Sequence, residues 1–136
     1  MRVLVQKTIT KEEAKILMEK DNINFEHPII KKIIKKCSKY TKRTSVSAPS
    51  YLSIDSGKNG HTWHKDTGTS NHMPWCNYGL STLLSYPEDD GLFKYKSPEL
   101  SYTQAEHYLN TIVHSSDEYH MVEPSKNRTV LLMFLA

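Results

Sequence analysis

Two periods of hydrophobic patterning divide the chain. After a short strand at residues 2–6, apolar side chains recur at helical spacing as far as Cys37. From residue 50 they alternate, or cluster in short runs broken by turns. Thr10 and Glu13 form a capping-box pair, which predicts a helix over residues 11–20 with Ala14, Ile16 and Leu17 in its buried stripe. Pro28 suits the first turn of a second helix, where its missing N–H costs nothing, and Ile29, Ile30, Ile33, Ile34 and Cys37 follow on one face. Residues 39–49 are polar, end at Pro49, and read as a linker.

The second part reads as strands. They fall at residues 51–54, 61–67, 80–86, 92–95, 111–114, 119–123 and 128–135, with turns at 56–60 and 87–91. Residues 69–77 read as a polar loop carrying Trp75, and 104–109 as a helical turn or two within the ambiguous stretch 98–110. Helices followed by many short strands predict a mainly β sandwich or barrel with helices packed on one side. The last strand is apolar at every position from Val130 to Leu135. One of its faces can fill the sandwich interior; the other needs the two N-terminal helices to cover it. Both halves then belong to one domain spanning residues 1–136, with 1–49 as helical support and 50–136 as the β core.

Composition is that of an ordinary globular chain, and the N-terminal apolar run is too short for a signal peptide. No apolar run is long enough to span a membrane. Cys37 and Cys76 have no C-x-x-C spacing, so a reducing, cytoplasmic setting is expected, the host cytoplasm if the source is viral. Charge is lopsided: residues 1–68 hold fourteen Lys and Arg against seven acids, and residues 69–136 hold four against eight. Seven bases lie between Lys31 and Arg43. A nucleic-acid site is one reading of that run; the favoured one is the wet side of an amphipathic helix, because apolar residues are interleaved at helical spacing.

The candidate chemistry lies in His64-Lys65-Asp66, His120 and Arg128. Residues two apart on a strand share a face, so His64 and Asp66 project together and Lys65 points away. A third ligand must come from a neighbouring strand. His120 is the best candidate, because it opens a strand that residues 124–127 turn back, and Arg128 starts the return. Two neutral imidazoles and one carboxylate leave metal positions open, the pattern that suits Fe(II) and oxygen chemistry. A 2-oxo acid can chelate through its keto and carboxylate oxygens, and its far carboxylate then matches the fork of a guanidinium.

Those residues carry a resemblance. From Tyr51 to Ala136 the sequence resembles the Fe(II)/2-oxoglutarate-dependent dioxygenases, in their prolyl 4-hydroxylase-like branch. The matching pieces are His64-Lys65-Asp66; Ser81-Thr82-Leu83-Leu84-Ser85-Tyr86 with Gly91-Leu92-Phe93 behind it; and His120-Met121-Val122-Glu123-Pro124 followed by Arg128. The resemblance implies a double-stranded β-helix, or jelly roll, backed by the two N-terminal helices. It implies iron on His64, Asp66 and His120, and the 2-oxoglutarate C5 carboxylate on Arg128, with Ser81 supplying a hydroxyl nearby. It further implies O2 as oxidant, succinate and CO2 as co-products, ascorbate as a supporting reductant, and hydroxylation of an unactivated C–H bond. The substrate would be a peptidyl residue, an amino acid or another small molecule. Two departures stand out: Ile54 occupies what reads as the position of a 2-oxoglutarate-holding Tyr, and the usual double Gly is reduced to Gly91. They keep a second reading open, a metal-binding jelly roll without turnover. A basic nucleic-acid-binding protein is the third reading, and oligomeric state is unreadable.

The remaining histidines and tryptophans are assigned lesser roles. His61 is three residues before His64, a helical rather than a strand step, which leaves it outside the metal shell and at most at the pocket mouth. His114 falls just ahead of a predicted turn, and His72 and His107 read as solvated. Trp63 is expected in the core or a lid, Trp75 near the substrate entrance, and Tyr119 pointing away from the metal.

Overall fold

The computed structural model describes residues 1–66 and 73–136. Thr10 starts α1 (Lys11–Met18) through a full capping box: its hydroxyl accepts from the Glu13 amide at 3.1 Å, and the Glu13 carboxylate accepts from the Thr10 amide at 2.9 Å. α1 buries Ala14 and Leu17. Ile16 is 44% exposed, contrary to its place in the predicted stripe, because two residues from Ala14 is more than half a turn away. α2 (Pro28–Thr41) begins with Pro28 in its first turn and His27 Nδ1 accepting from the Ile29 amide at 3.1 Å. It buries Ile29, Ile30, Ile33, Ile34 and Cys37, as the spacing predicts. The helix continues through Thr41, further than the polar composition suggests, since Thr41 is itself buried; Lys42 in the left-handed region ends it. Its lysines 31, 35, 36 and 39 are exposed, so the basic run is the outer side of an amphipathic helix. Lys31 and Lys32 are paired with Glu26 and Glu13.

Among the described residues, nine strands follow a two-sheet plan: β1 (Arg2–Val5), β2 (Tyr51–Asp55), β3 (His61–His64), β4 (Tyr78–Leu83), β5 (Phe93–Tyr95), β6 (Leu100–Tyr102), β7 (Thr111–Ser115), β8 (His120–Val122) and β9 (Val130–Leu135). The larger sheet runs β1-β7-β4-β9-β2 and the smaller β3-β8-β5-β6, every pairing within both being antiparallel. β6 is unforeseen in the sequence. The expected helical turn is α3 (Gln104–His107), capped by Thr103 and Glu106.

β9 shows why a strand can be apolar on both faces. Leu131, Met133 and Leu135 join Leu80, Val113 and the isoleucines of α2 in one core between sheet and helices. Val130, Leu132 and Phe134 face the other way, into a cavity between the sheets. A second, smaller core of Phe93, Tyr95, Ile112 and Val122 fills the sandwich interior. Each wholly buried isoleucine of α2, such as Ile30 or Ile33, contributes about 1.5–3 kcal/mol by leaving water, which ties the helices to the sheet. Among the described residues no helix is long and apolar enough to cross a membrane. Cys37 and Cys76 are both free and buried.

Candidate active site

The cavity between the sheets has a volume of about 570 Å³. Strand register decides which side chains reach it. Across the larger sheet, Gly79 lies between His114 and Phe134, Ser81 between Ile112 and Leu132, and Leu83 beside Val130. On β2 the alternation gives Tyr51, Ser53 and Asp55 to the cavity face, paired with Phe134, Leu132 and Val130. Ile54, expected at the co-substrate Tyr position, pairs with Leu131, packs against the helix-side core and also borders the cavity.

From the smaller sheet, β8 presents His120, paired with His64 on one side and with Tyr95 on the other. The pairing of β3 slips between His61 and His64, so that three steps on β3 match two on β8. That irregularity corrects the strand-step argument. His61 and His64 both line the cavity although they are three apart, and their rings lie 6.0 Å from each other. His61 is nonetheless tied to Asp55, Nε2 to Oδ2 at 2.9 Å, and stands at the edge of the site. β3 ends at His64, short of the predicted 61–67, so Asp66 is held by other means. Its amide donates to the Ser116 carbonyl at 3.0 Å.

Three donor atoms converge: one nitrogen each of His64 and His120, and a carboxylate oxygen of Asp66, all within 4.8 Å of one another. His64 Nε2 and His120 Nε2 stand 3.8 and 3.5 Å from the same oxygen, Asp66 Oδ1. In both imidazoles the other nitrogen is occupied. Nδ1 of His64 lies 2.6 Å from the Thr62 carbonyl, and Nδ1 of His120 lies 2.9 Å from that of Glu118. A carbonyl only accepts, so each Nδ1 carries the hydrogen and each Nε2 offers a lone pair. Burial pushes the His120 imidazole down to about 3, which keeps it neutral as a ligand must be. The Asp66 carboxyl is raised by burial, but the hydrogen bond from His114 and the surrounding imidazoles outweigh this and hold it below its ordinary value. Asp66 and His120 are each 4% exposed, whereas the His64 side chain is 40% exposed, so solvent reaches the cluster on the His64 side. Phe93 stacks on His120 with planes 4° apart and shields its inner face.

Arg128 precedes β9 rather than lying in it, and its side chain enters the same cavity, 3% exposed. Among the described residues, its Nη1 and the Ser81 Oγ are buried without a hydrogen-bond partner. Two orphaned donors in one cavity are what an absent anion would satisfy. Gly57, at φ 57°, lets the guanidinium in: a Cβ there would stand 2.6 Å from Nη1. The donor set, the fixed imidazole tautomers and the orphaned donors all fit a divalent metal with a carboxylate-bearing co-substrate.

The sequence reading missed two buried histidines beside the site. His114, the last residue of the predicted strand 111–114, lies on β7 just ahead of a turn as expected, but it is buried, with Nε2 2.7 Å from Asp66 Oδ2 and Nδ1 2.8 Å from the Tyr95 hydroxyl. A signal existed, since His114 is two residues beyond Ile112 on one strand and must share its interior face. His107 is not solvated but fully enclosed, 2.8 Å from the Ser81 carbonyl. Trp63 is neither core nor lid: it stacks on half-exposed Tyr119 with planes 14° apart, under the Lys96 ammonium, and Tyr119 points away from the triad as expected. Trp75 meets Tyr51 edge-on, 6.3 Å between centroids, beside the cavity. Thr67, His72 and the start of the loop at 69–77 lie outside the described residues.

No family model and no curated protein matches the sequence. Solved structures do match. The viral collagen prolyl hydroxylase vCPH of Paramecium bursaria Chlorella virus-1, in complex with 2OG, is similar with a TM-score of 0.68 at 11% identity, over 98% of this chain and 93% of that one. An oxidoreductase of the 2OG-Fe(II) oxygenase family from Burkholderia pseudomallei is similar with a TM-score of 0.53 at 17% identity, over 81% of this chain and 53% of that one. The protein AviO1 of Streptomyces viridochromogenes is similar with a TM-score of 0.50 at 14% identity, over 99% of this chain and 66% of that one. At such identities the likeness is one of architecture, and the architecture of this chain is that of the 2OG-Fe(II) oxygenases, a prolyl hydroxylase among them.

Proposed function

We propose that the protein is an Fe(II)- and 2-oxoglutarate-dependent dioxygenase, a single domain built on a double-stranded β-helix with its two N-terminal helices as backing. The observation that carries this reading is the convergence of His64, Asp66 and His120 in the same cavity as the unpartnered Arg128 and Ser81 donors. With Fe(II), 2-oxoglutarate and O2 bound, such a site supplies hydroxylation of an unactivated C–H bond, with release of succinate and CO2.

The chain's own contributions follow from its geometry. His64 and His120 would hold the metal through Nε2, oriented by the Thr62 and Glu118 carbonyls. Asp66 supplies the one negative charge. Arg128 would donate to the far carboxylate of the co-substrate, the fork of the guanidinium fixing its orientation, and the Ser81 hydroxyl would donate a further hydrogen bond. Phe93, Val122, Val130 and Leu132 wall the cavity and keep water from it. The substrate, a peptidyl residue, an amino acid or another small molecule, approaches on the open side at His64. The test is succinate release from 2-oxoglutarate with Fe(II), ascorbate and O2. Slow release without added substrate is expected, and Asp66→Ala abolishes it. Absence of any succinate from metal-loaded protein leaves a binding module in its place, and undiminished release by Asp66→Ala removes Asp66 from the metal.

A further inference from the structure

The proposed ligand set uses one oxygen of Asp66. The other is committed elsewhere: Oδ2 lies 2.7 Å from His114 Nε2, in a pair whose members are 4% and 3% exposed. The far nitrogen of that ring, Nδ1, lies 2.8 Å from the hydroxyl of Tyr95, which is wholly buried. A carboxylate only accepts, so the carboxylate end fixes the hydrogen on Nε2, which donates to Oδ2; a neutral ring then leaves Nδ1 as an acceptor from the phenol. The Arg2 guanidinium lies over the Tyr95 ring, 4.5 Å from its centroid, and steadies the outer end. Gly79, the ladder partner of His114, gives the pair room. A Cβ on Gly79 would stand 2.1 Å from Asp66 Oδ2 and 2.7 Å from His114 Nε2.

Resting on the dioxygenase reading, we propose that His114 is a positioning residue that holds Asp66 to the metal through Oδ1 alone, with Tyr95 fixing its tautomer and Gly79 making its space. The consequence is a coordination count. Two imidazoles and a one-pronged carboxylate would leave the remaining positions of a bound metal to a chelating 2-oxo acid and O2. A carboxylate free to turn both oxygens to the metal would take one of them. His114 therefore governs metal affinity and co-substrate access without touching either reactant.

The test is the Fe(II) dissociation constant, measured anaerobically by competition with a chromophoric chelator, on wild type, His114→Phe, His114→Gln and Tyr95→Phe. His114→Phe keeps the ring and loses the donor, and is expected to weaken Fe(II) binding about 10–100-fold. His114→Gln keeps an N–H that can reach Oδ2, and is expected to restore most of that loss. Tyr95→Phe is expected to weaken binding less than His114→Phe. Unchanged affinity in His114→Phe overturns the inference, and so does a glutamine variant as weak as the phenylalanine one, which would make the imidazole itself a ligand. Should His114→Phe not fold, Tyr95→Phe decides: unchanged affinity there overturns the inference. Failure of the dioxygenase reading looks different, because wild type then takes up no Fe(II), or takes it up and releases no succinate from 2-oxoglutarate.

Discussion

Replacing Arg128 with Met separates what the guanidinium does for the co-substrate from what it costs the fold. Burial pushes the Arg128 guanidinium down from its ordinary 12.5 to about 10, with Asp55 opposing. At about 1.4 kcal/mol per pH unit, holding the cation in the folded protein costs roughly 3 kcal/mol relative to a solvated guanidinium. The sign is that of a depressed cation: below pH 10 the folded state carries the charge at a penalty, relieved only as pH rises past that value. Methionine matches the aliphatic stem and removes the charge, so Arg128→Met recovers part of the penalty in the ligand-free protein. A gain of roughly 1 kcal/mol corresponds to a Tm rise of about 4 °C at this chain length. Binding moves the opposite way. Losing one hydrogen bond to a charged group costs about 1.5–3 kcal/mol, or roughly 10- to 150-fold in the 2-oxoglutarate dissociation constant. Thermal denaturation with and without 2-oxoglutarate, beside a direct 2-oxoglutarate titration, reads both effects. A variant less stable than wild type without ligand, yet equal to it in 2-oxoglutarate affinity, would refute the assignment of Arg128 as an unsatisfied anion site.

Two other perturbations test the surroundings of the site. His107 is enclosed and pushed down to about 3 by burial, so the unfolded chain takes up a proton below about pH 6.5 that the folded protein refuses. Its contribution to stability therefore falls by about 1.4 kcal/mol per pH unit as pH drops from 6.5 towards 3. Urea denaturation of His107→Gln between pH 6 and 4 is expected to show a correspondingly shallower decline; parallel slopes would contradict this. Gly57→Ala adds a Cβ 2.6 Å from Arg128 Nη1 in left-handed backbone at φ 57°. It is expected to lower stability by about 1–2 kcal/mol and to raise the 2-oxoglutarate dissociation constant while sparing Fe(II) affinity. A 2-oxoglutarate titration identical to wild type would show that Gly57 does not shape the anion pocket.

Elements with a strong local signal were legible in the sequence. The Thr10 capping box, Pro28 in its first turn and the isoleucine stripe of α2 are one-turn or two-turn patterns, and they appear where the periodicity puts them. The double apolar face of β9 was readable as well, because only two layers of cover can account for it. What the sequence hid depends on register. The slip between His61 and His64 breaks the two-residue period, so the spacing kept His61 out of the metal shell but could not show that it lines the cavity. On β2 one residue exchanges the two faces, so the pairing of Ile54 with Leu131 was not readable without the register. His114 and His107 were read from flanking polarity, whereas their burial is set by the strands and helix that position them. The convergence of His64, Asp66 and His120 was predicted from spacing on a strand, but Asp66 is held beyond the strand end by the hydrogen bond its backbone N–H donates to the Ser116 carbonyl.

The most direct measurement of the central claim is the visible spectrum of the anaerobic protein as Fe(II) and 2-oxoglutarate are added. A 2-oxo acid chelated to Fe(II) through its keto oxygen gives a charge-transfer band. The account predicts that this band saturates at one Fe(II) per chain, is lost in Asp66→Ala, and needs more 2-oxoglutarate in Arg128→Met. No band at saturating Fe(II) and 2-oxoglutarate, or a band unaltered by Asp66→Ala, would contradict it.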